Sequence, residues 1–323
     1  MRVAVLDIGT NSTRLLIAEV SPDGAIAELV RRSVVTRLGA GVDAGGELSP
    51  EGRERVYAAL ADFRREIDAH LPSDDASLPN LAVMTSAVRD ARNGRSFAES
   101  VRSRFHFDAR ILSGDDEARM TFLGAMSGQP GTTTQPAVVI DIGGGSTEFI
   151  VGTGSQAGFH VSLPAGVVRM SERHIHTDPP DGAELRELAD DVRATFRDGL
   201  PPSERTAVRR GIAVAGTATS AAAIDQELDP YDPARVHGYT LLLASVEMLL
   251  ARLADMTEAQ RRSVVGLHPD RAPTIVAGLV LLSEAMRAFD LDEVEVSEHD
   301  ILHGGALTLA AELRPTGGDD ASG

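Results

Sequence analysis

Two segments limit what this chain can fold into: VAVLDIGTNSTRLLIAEV (3–20) and VVIDIGGGSTEFIV (138–151). Each reads as an apolar strand, an Asp-Ile-Gly, a short turn of small polar residues and a second strand. Asp7 and Asp141 lie 134 positions apart (141 − 7). A period that long indicates a duplicated domain rather than a solenoid. The flanking pattern repeats too. The turn SPDG leads to a third strand near 26–38, and GTGSQAG leads to one near 159–163. The expected class is α/β, with a strand–turn–strand–turn–strand opening in each half.

Helical periods fill the remainder. Ser49 is placed to cap a helix with Pro50 at its first position and Val56, Leu60, Phe63 and Ile67 on one face. Strand-then-helix readings follow at 81–90, 109–126 and 209–224, with helices at 181–199, 241–254 and 271–289. Ser297, with Asp300 three residues on, reads as the cap of a last helix. The Gly-, Pro- and Thr-rich run 127–136 is the natural boundary. Domain I is therefore expected at 1–127, completed by a helix at about 297–313, and domain II at 137–296. The tail 314–323 is expected to be disordered.

A formal net charge of −17 argues against nucleic acid or anionic membrane as partners. All 31 basic residues are arginine, which excludes a Walker A lysine and Schiff-base chemistry. Cysteine is absent, which excludes disulfides, thiolate metal sites and a cysteine nucleophile. The longest apolar run, TIVAGLVLL (274–282), is too short to span a bilayer. With no secretory leader pattern at Met1, the expectation is a soluble cytoplasmic protein.

A strand ending in Asp-x-Gly before small polar residues suits phosphate. Glycine admits close approach of the backbone, successive amides form an anion nest, and hydroxyls add donors. That assigns phosphate binding to Gly9, Thr10, Asn11 and Ser12 in the first copy, and to Gly143, Gly144, Gly145, Ser146 and Thr147 in the second. The aspartates suit Mg²⁺ or a metal-bound water, Asp141 first and Asp7 as its mirror. A third glycine turn, AGTATS (215–220), opens a helix, so Gly216 and Thr217 are further phosphate candidates.

DIGTNSTRLLI, TSAVRDARNG, LSGDDEARMTFLGA, DIGGGSTEF, AGVVRMSERH, AGTATS, VHGYTL and VSEHDILHGGAL occur in this order. Together they resemble the exopolyphosphatase/guanosine pentaphosphate phosphohydrolase (Ppx/GppA) family over nearly the whole chain. The resemblance implies duplicated actin-like, ribonuclease H-like domains of the acetate and sugar kinase/Hsp70/actin superfamily, facing across a cleft. It implies Mg²⁺-dependent release of the terminal phosphate of linear polyphosphate, short chains first. The alternative is conversion of pppGpp to ppGpp. Further alternatives are phosphotransfer between polyphosphate and a nucleotide, and a non-catalytic (p)ppGpp sensor.

The family's catalytic glutamate carries over to Glu117 as general base. Asp116 stands where the family more often has glutamate. Arg89 matches an arginine that contacts the transferred phosphate, and its planar fork suits phosphate oxygens. His299 and Asp300 fall in a motif read as hinge or cap. His174, His176 and His237 have no metal-ligand spacing. The apolar helices are compatible with a homodimer.

Overall fold

The structure is a computed structural model that describes residues 1–40, 42, 46–72, 77–127 and 135–314. The chain after Arg314, most of the run 127–136 and part of the loop 39–50 lie outside the described residues. Two compact units divide the chain: Met1–Met120 with Ile301–Gly323, and Thr121–Asp300.

In the first unit five strands form one sheet: β1 (Arg2–Ile8), β2 (Ser12–Val20), β3 (Ile26–Val35), β4 (Asn80–Met84) and β5 (Ala109–Ile111). Their order is β3-β2-β1-β4-β5. The first three pair antiparallel, whereas β1, β4 and β5 run parallel. The two-residue period of a strand sorts β1 between two layers. Ala4, Leu6 and Ile8 pack with Val56, Leu60 and Phe63 of helix Pro50–Ala69 and with Phe97 and Val101 of helix Gly94–Phe105. Val3 and Val5 pack instead with Leu302, Ala306 and Leu309 of the C-terminal helix Ile301–Glu312.

That last helix lies close because of two adjacent glycines. A Cβ on Gly304 would stand 1.8 Å from the Met120 carbonyl oxygen, and one on Gly305 would stand 2.8 Å from Val5 Cγ1. Ser49 caps its helix as the sequence suggests, accepting the Gly52 amide at 3.0 Å. Ser297 does not. Its hydroxyl accepts the His299 amide at 3.0 Å in a tight local turn, and the helix begins only at Ile301. The hydroxyl is consumed two residues on, before any helical amide is within reach.

The second unit holds six strands: β6 (Ala137–Ile142), β7 (Thr147–Thr153), β8 (Gln156–Leu163), β9 (Arg210–Val214), β10 (Tyr239–Leu242) and β11 (Glu293–Val296). Their order is β10-β11-β9-β6-β7-β8. Without β10, the order and strand directions repeat those of the first unit. The duplication legible in the two Asp-Ile-Gly segments is therefore a duplication of the whole sheet. β10 is the addition, antiparallel to β11. The helix expected from 241 begins at Leu243, because Leu241 alternates with exposed Thr240 and Leu242 as a strand edge. Helix Ile275–Ala288 is buried from Ile275 through Met286. It even encloses Glu284, whose charge is balanced by Arg193 at 2.9 and 3.0 Å and by Arg287 at 2.5 Å. Among the described residues no helix is long and apolar enough to cross a membrane.

Candidate active site

The two Asp-Ile-Gly turns are closed by the same hydrogen bond. The Gly9 amide donates to the Ser12 carbonyl at 3.0 Å, and the Gly143 amide to the Ser146 carbonyl at 2.9 Å. Each turn joins two antiparallel strands, so the aspartate before it faces a residue after it. Asp7 pairs in register with Arg14, and Asp141 with Glu148. Here the duplicates have diverged in charge.

In the first unit Arg14 donates from Nε (3.0 Å) and Nη2 (2.7 Å) to Asp7 Oδ2, with the Asp7 side chain 7% exposed. A metal ion would have to compete with a guanidinium already on that carboxylate. Asp7, expected to mirror Asp141 as a metal ligand, is here paired with Arg14. The turn itself is accessible, with Thr10 and Asn11 exposed and Gly9 and Ser12 half-buried. It is held from behind by the returning chain. The Asn11 carbonyl accepts the Thr36 and Arg37 amides at 3.0 and 2.8 Å, and the Thr10 carbonyl accepts the Gly39 amide at 2.8 Å.

Glu117 sits in the first turn of helix Gly114–Met126. Its Oε2 accepts from Arg89 Nη1 at 2.7 Å, and the same nitrogen reaches the Leu112 carbonyl at 3.2 Å. The two side chains remain 23% and 31% exposed, so the pair is open to water. The structure brings the two sequence-predicted catalytic residues together, with the Arg89 guanidinium donating to the Glu117 carboxylate. Asp116 is exposed and occupied locally by the Ser113 hydroxyl at 2.7 Å.

In the second unit Asp141 and Glu148 form a cross-strand pair of half-buried carboxylates. Glu148 Oε1 accepts from the Ser146 and Ser162 hydroxyls, each at 2.6 Å. Its Oε2 lies 4.0 Å from where a Cβ on Gly143 would stand, which aims it at the glycine loop. Two carboxylates side by side, with hydroxyls beside them, are the hard oxygen donors that Mg²⁺ takes. Glu148 was not among the sequence candidates. The signal was present, since a hairpin turn between 142 and 147 forces 141 opposite 148.

Helix Val167–His174 begins against this loop. The amides of Val167, Val168 and Arg169 donate to the Gly143 and Gly144 carbonyls at 2.9–3.2 Å, and Arg169 Nε donates to the Gly145 carbonyl at 2.9 Å. A Cβ on Gly166 would stand 2.4 Å from the Ser146 nitrogen and 2.5–2.6 Å from the Gly145 and Gly144 carbonyl carbons. Gly166→Ala must move backbone, and is expected to cost about 2 kcal/mol of stability, measured by urea unfolding. Thr147, expected to bind phosphate, is fully buried and gives its hydroxyl to the Ala165 carbonyl at 2.5 Å. As the first strand residue after the turn, it turns its side chain toward the core.

The third glycine turn joins β9 to helix Ala215–Asp225, with Ala215 at φ 62°. A Cβ on Gly216 would stand 1.2 Å from Arg271 Nη1 and 1.9 Å from its Cζ, so the guanidinium rests on the glycine. Arg271 therefore joins the candidate phosphate residues, and no spacing in the sequence linked it to Gly216. Thr217 is turned the other way. It is 5% exposed, and a Cβ on Gly278 would meet its side chain at 2.9 Å. Its side chain packs on helix Ile275–Ala288, away from solvent.

The model of the Ppx/GppA phosphatase family matches residues 16–311. The chain belongs to the Ppx/GppA phosphatase family. It is accordingly a phosphoanhydride hydrolase. It is 36% identical to exopolyphosphatase 2 of Mycobacterium tuberculosis over 325 aligned residues, covering 96% of this chain and 98% of that one. Among solved structures it is similar to the Aquifex aeolicus Ppx/GppA family member, with a TM-score of 0.84 and 27% identity over 97% of this chain and 98% of the other. It is also similar to an exopolyphosphatase from Cytophaga hutchinsonii, with a TM-score of 0.82 and 25% identity over 97% and 99%. The Ppx/GppA members of known structure share the actin-like fold, and the repeated sheet order described above belongs to it.

Proposed function

We propose that this chain is an Mg²⁺-dependent exopolyphosphatase that releases terminal orthophosphate from linear polyphosphate. The observation that carries the reading is Glu117, a water-accessible carboxylate oriented by Arg89. The oxygen of a water molecule bonds to the terminal phosphorus while Glu117 takes its proton. The phosphoanhydride bond breaks, and the bridging oxygen leaves with the shortened chain. Within the first unit the turn amides around Gly9 and the hydroxyls of Thr10 and Ser12 suit phosphate oxygens, and within the second unit so do the amides around Gly143, the Ser146 hydroxyl and Gly216 with Arg271. Asp141 and Glu148 would hold Mg²⁺, which when bound neutralises charge on the phosphate groups. The name of the M. tuberculosis relative supports polyphosphate as substrate.

Orthophosphate release from short polyphosphate, long polyphosphate, pppGpp and ATP, with and without Mg²⁺, tests this reading. Release from polyphosphate that depends on Mg²⁺ is expected. Release from pppGpp alone would make the chain a guanosine pentaphosphate phosphohydrolase. Polyphosphate consumption that needs ADP and yields no orthophosphate would make it a phosphotransferase. Glu148→Gln is expected to raise the Mg²⁺ concentration for half-maximal activity by on the order of 10–100-fold. A Mg²⁺ titration reads this directly, and an unchanged midpoint would remove Glu148 from the metal site.

A further inference from the structure

Three residues stand in one row across the second unit's sheet. Asp141 on β6 pairs in register with Glu148 on β7, and Glu148 pairs with Ser162 on β8. Residues opposite one another on antiparallel strands share a face, with Cβ atoms roughly 4.5–5.5 Å apart. Sheet register, rather than a loop, therefore sets this row. Its outer members are bonded as well as aligned. The Ser162 hydroxyl donates to Glu148 Oε1 at 2.6 Å, and the Ser146 hydroxyl donates to the same oxygen at 2.6 Å. Such short distances belong to hydroxyls on an ionised carboxylate. The two donors come from different parts of the fold. Ser146 sits in the glycine turn two residues before Glu148, and Ser162 reaches across from the neighbouring strand. The duplicate row in the first unit is Asp7, Arg14 and Ser33. There the middle residue is itself a donor and turns to Asp7, so the outer serine stands opposite a guanidinium instead of a carboxylate.

We propose that Ser162 is a positioning residue of the metal site. It anchors Glu148 Oε1 on the β8 side, so that Oε2 is presented toward the glycine turn, where it lies 4.0 Å from the place of a Cβ on Gly143. A glutamate left to itself samples several rotamers, and an ion that binds it must first order them. Glu148 is ordered in advance, by one hydroxyl from its own turn and one from the next strand. Ser162 touches neither substrate nor reacting water. It acts through Glu148, on the affinity of the site for its ion. The inference rests on the assignment of Mg²⁺ to Asp141 and Glu148 made above, and adds a partner that holds one of those carboxylates.

The experiment is a titration of the whole chain with Mn²⁺ in the absence of substrate, with free ion read by electron paramagnetic resonance. Mn²⁺ takes the same hard oxygen donors as Mg²⁺. Wild type, Ser162→Ala, Ser162→Thr, Glu148→Gln and the double variant Ser162→Ala with Glu148→Gln are compared. Ser162 is exposed, so its variants are expected to fold normally, which thermal unfolding checks. Ser162→Ala is expected to bind Mn²⁺ on the order of tenfold more weakly than wild type. Ser162→Thr keeps the hydroxyl on a residue that suits a strand, and should bind as wild type does. The double variant should bind no more weakly than Glu148→Gln alone, because the hydroxyl acts only through that carboxylate. Binding weakened by Glu148→Gln but equal in Ser162→Ala and wild type would overturn the positioning role and leave the metal assignment standing. Losses that add in the double variant would overturn it too, since Ser162 would then act elsewhere. No Mn²⁺ bound by wild type, or binding indifferent to Glu148→Gln, would overturn both. Binding that depends on Glu148 and Ser162, in a chain that does not hydrolyse polyphosphate, would uphold the positioning role and overturn polyphosphate as substrate.

Discussion

Glu117→Gln is expected to lower kcat for orthophosphate release by about 10²–10⁴-fold, the range for a lost general base. The amide keeps the size of the side chain and can still accept from Arg89, but it cannot take a proton from water. Substrate affinity should change little, because the amide still accepts from Arg89 and the glycine turns are untouched. The acid limb of the pH profile of kcat/KM should disappear with the carboxylate. A merely structural Glu117 predicts a different result. The Arg89–Glu117 pair is about a quarter exposed, and breaking such a pair costs on the order of 1 kcal/mol or less. Near-normal turnover with a slightly lowered Tm would therefore remove Glu117 from the reaction.

Arg14→Ala should destabilise the first unit by about 3 kcal/mol, because it leaves the buried Asp7 charge without the guanidinium that balances it. Asp7 lies on the central strand of the sheet, and Oδ2 takes both donors of Arg14. Adding Asp7→Asn to Arg14→Ala should recover part of the loss, since the uncompensated charge is then gone. Chemical unfolding of the two single variants and the double variant measures the coupling. Mg²⁺ supplies a further discrimination. If Asp7 were a metal ligand, Mg²⁺ would stabilise Arg14→Ala more than wild type. The ion-pair reading predicts the same Mg²⁺ effect in both, with Asp141 and Glu148 as its source.

Much of this fold was legible because its signals are local or repeated. Two identical turn chemistries flanked by strand periodicity indicated a duplicated sheet. Ser49–Pro50 marked a helix start, and the ordered motifs led to Glu117 and Arg89. What escaped was decided by packing over distance. Arg271 reaches Gly216 from 55 positions away (271 − 216), and no local pattern records such a contact. Thr147 and Thr217 carry the hydroxyls that a phosphate loop uses, yet both face the core, because position within a turn decides which side chains are outside. Glu148 was within reach. Once the turn is taken as a hairpin, register alone places it beside Asp141, and the same step pairs Asp7 with Arg14 and separates the two copies by charge.

The return of the chain at Ile301 has a consequence for biosynthesis. The first unit's sheet is finished within 111 residues, yet Val3, Val5, Leu81 and Val83 find much of their cover in Leu302, Ala306, Leu309 and Ala310, beyond what Leu112 and Met120 supply. On the ribosome, the whole of Thr121–Asp300 must be translated before that apolar face is sealed. At about 5–20 residues per second the face stays open for roughly ten to forty seconds. A nascent chain halted short of Ile301 should be bound by chaperones that recognise exposed apolar strands, and one released after Glu312 should not.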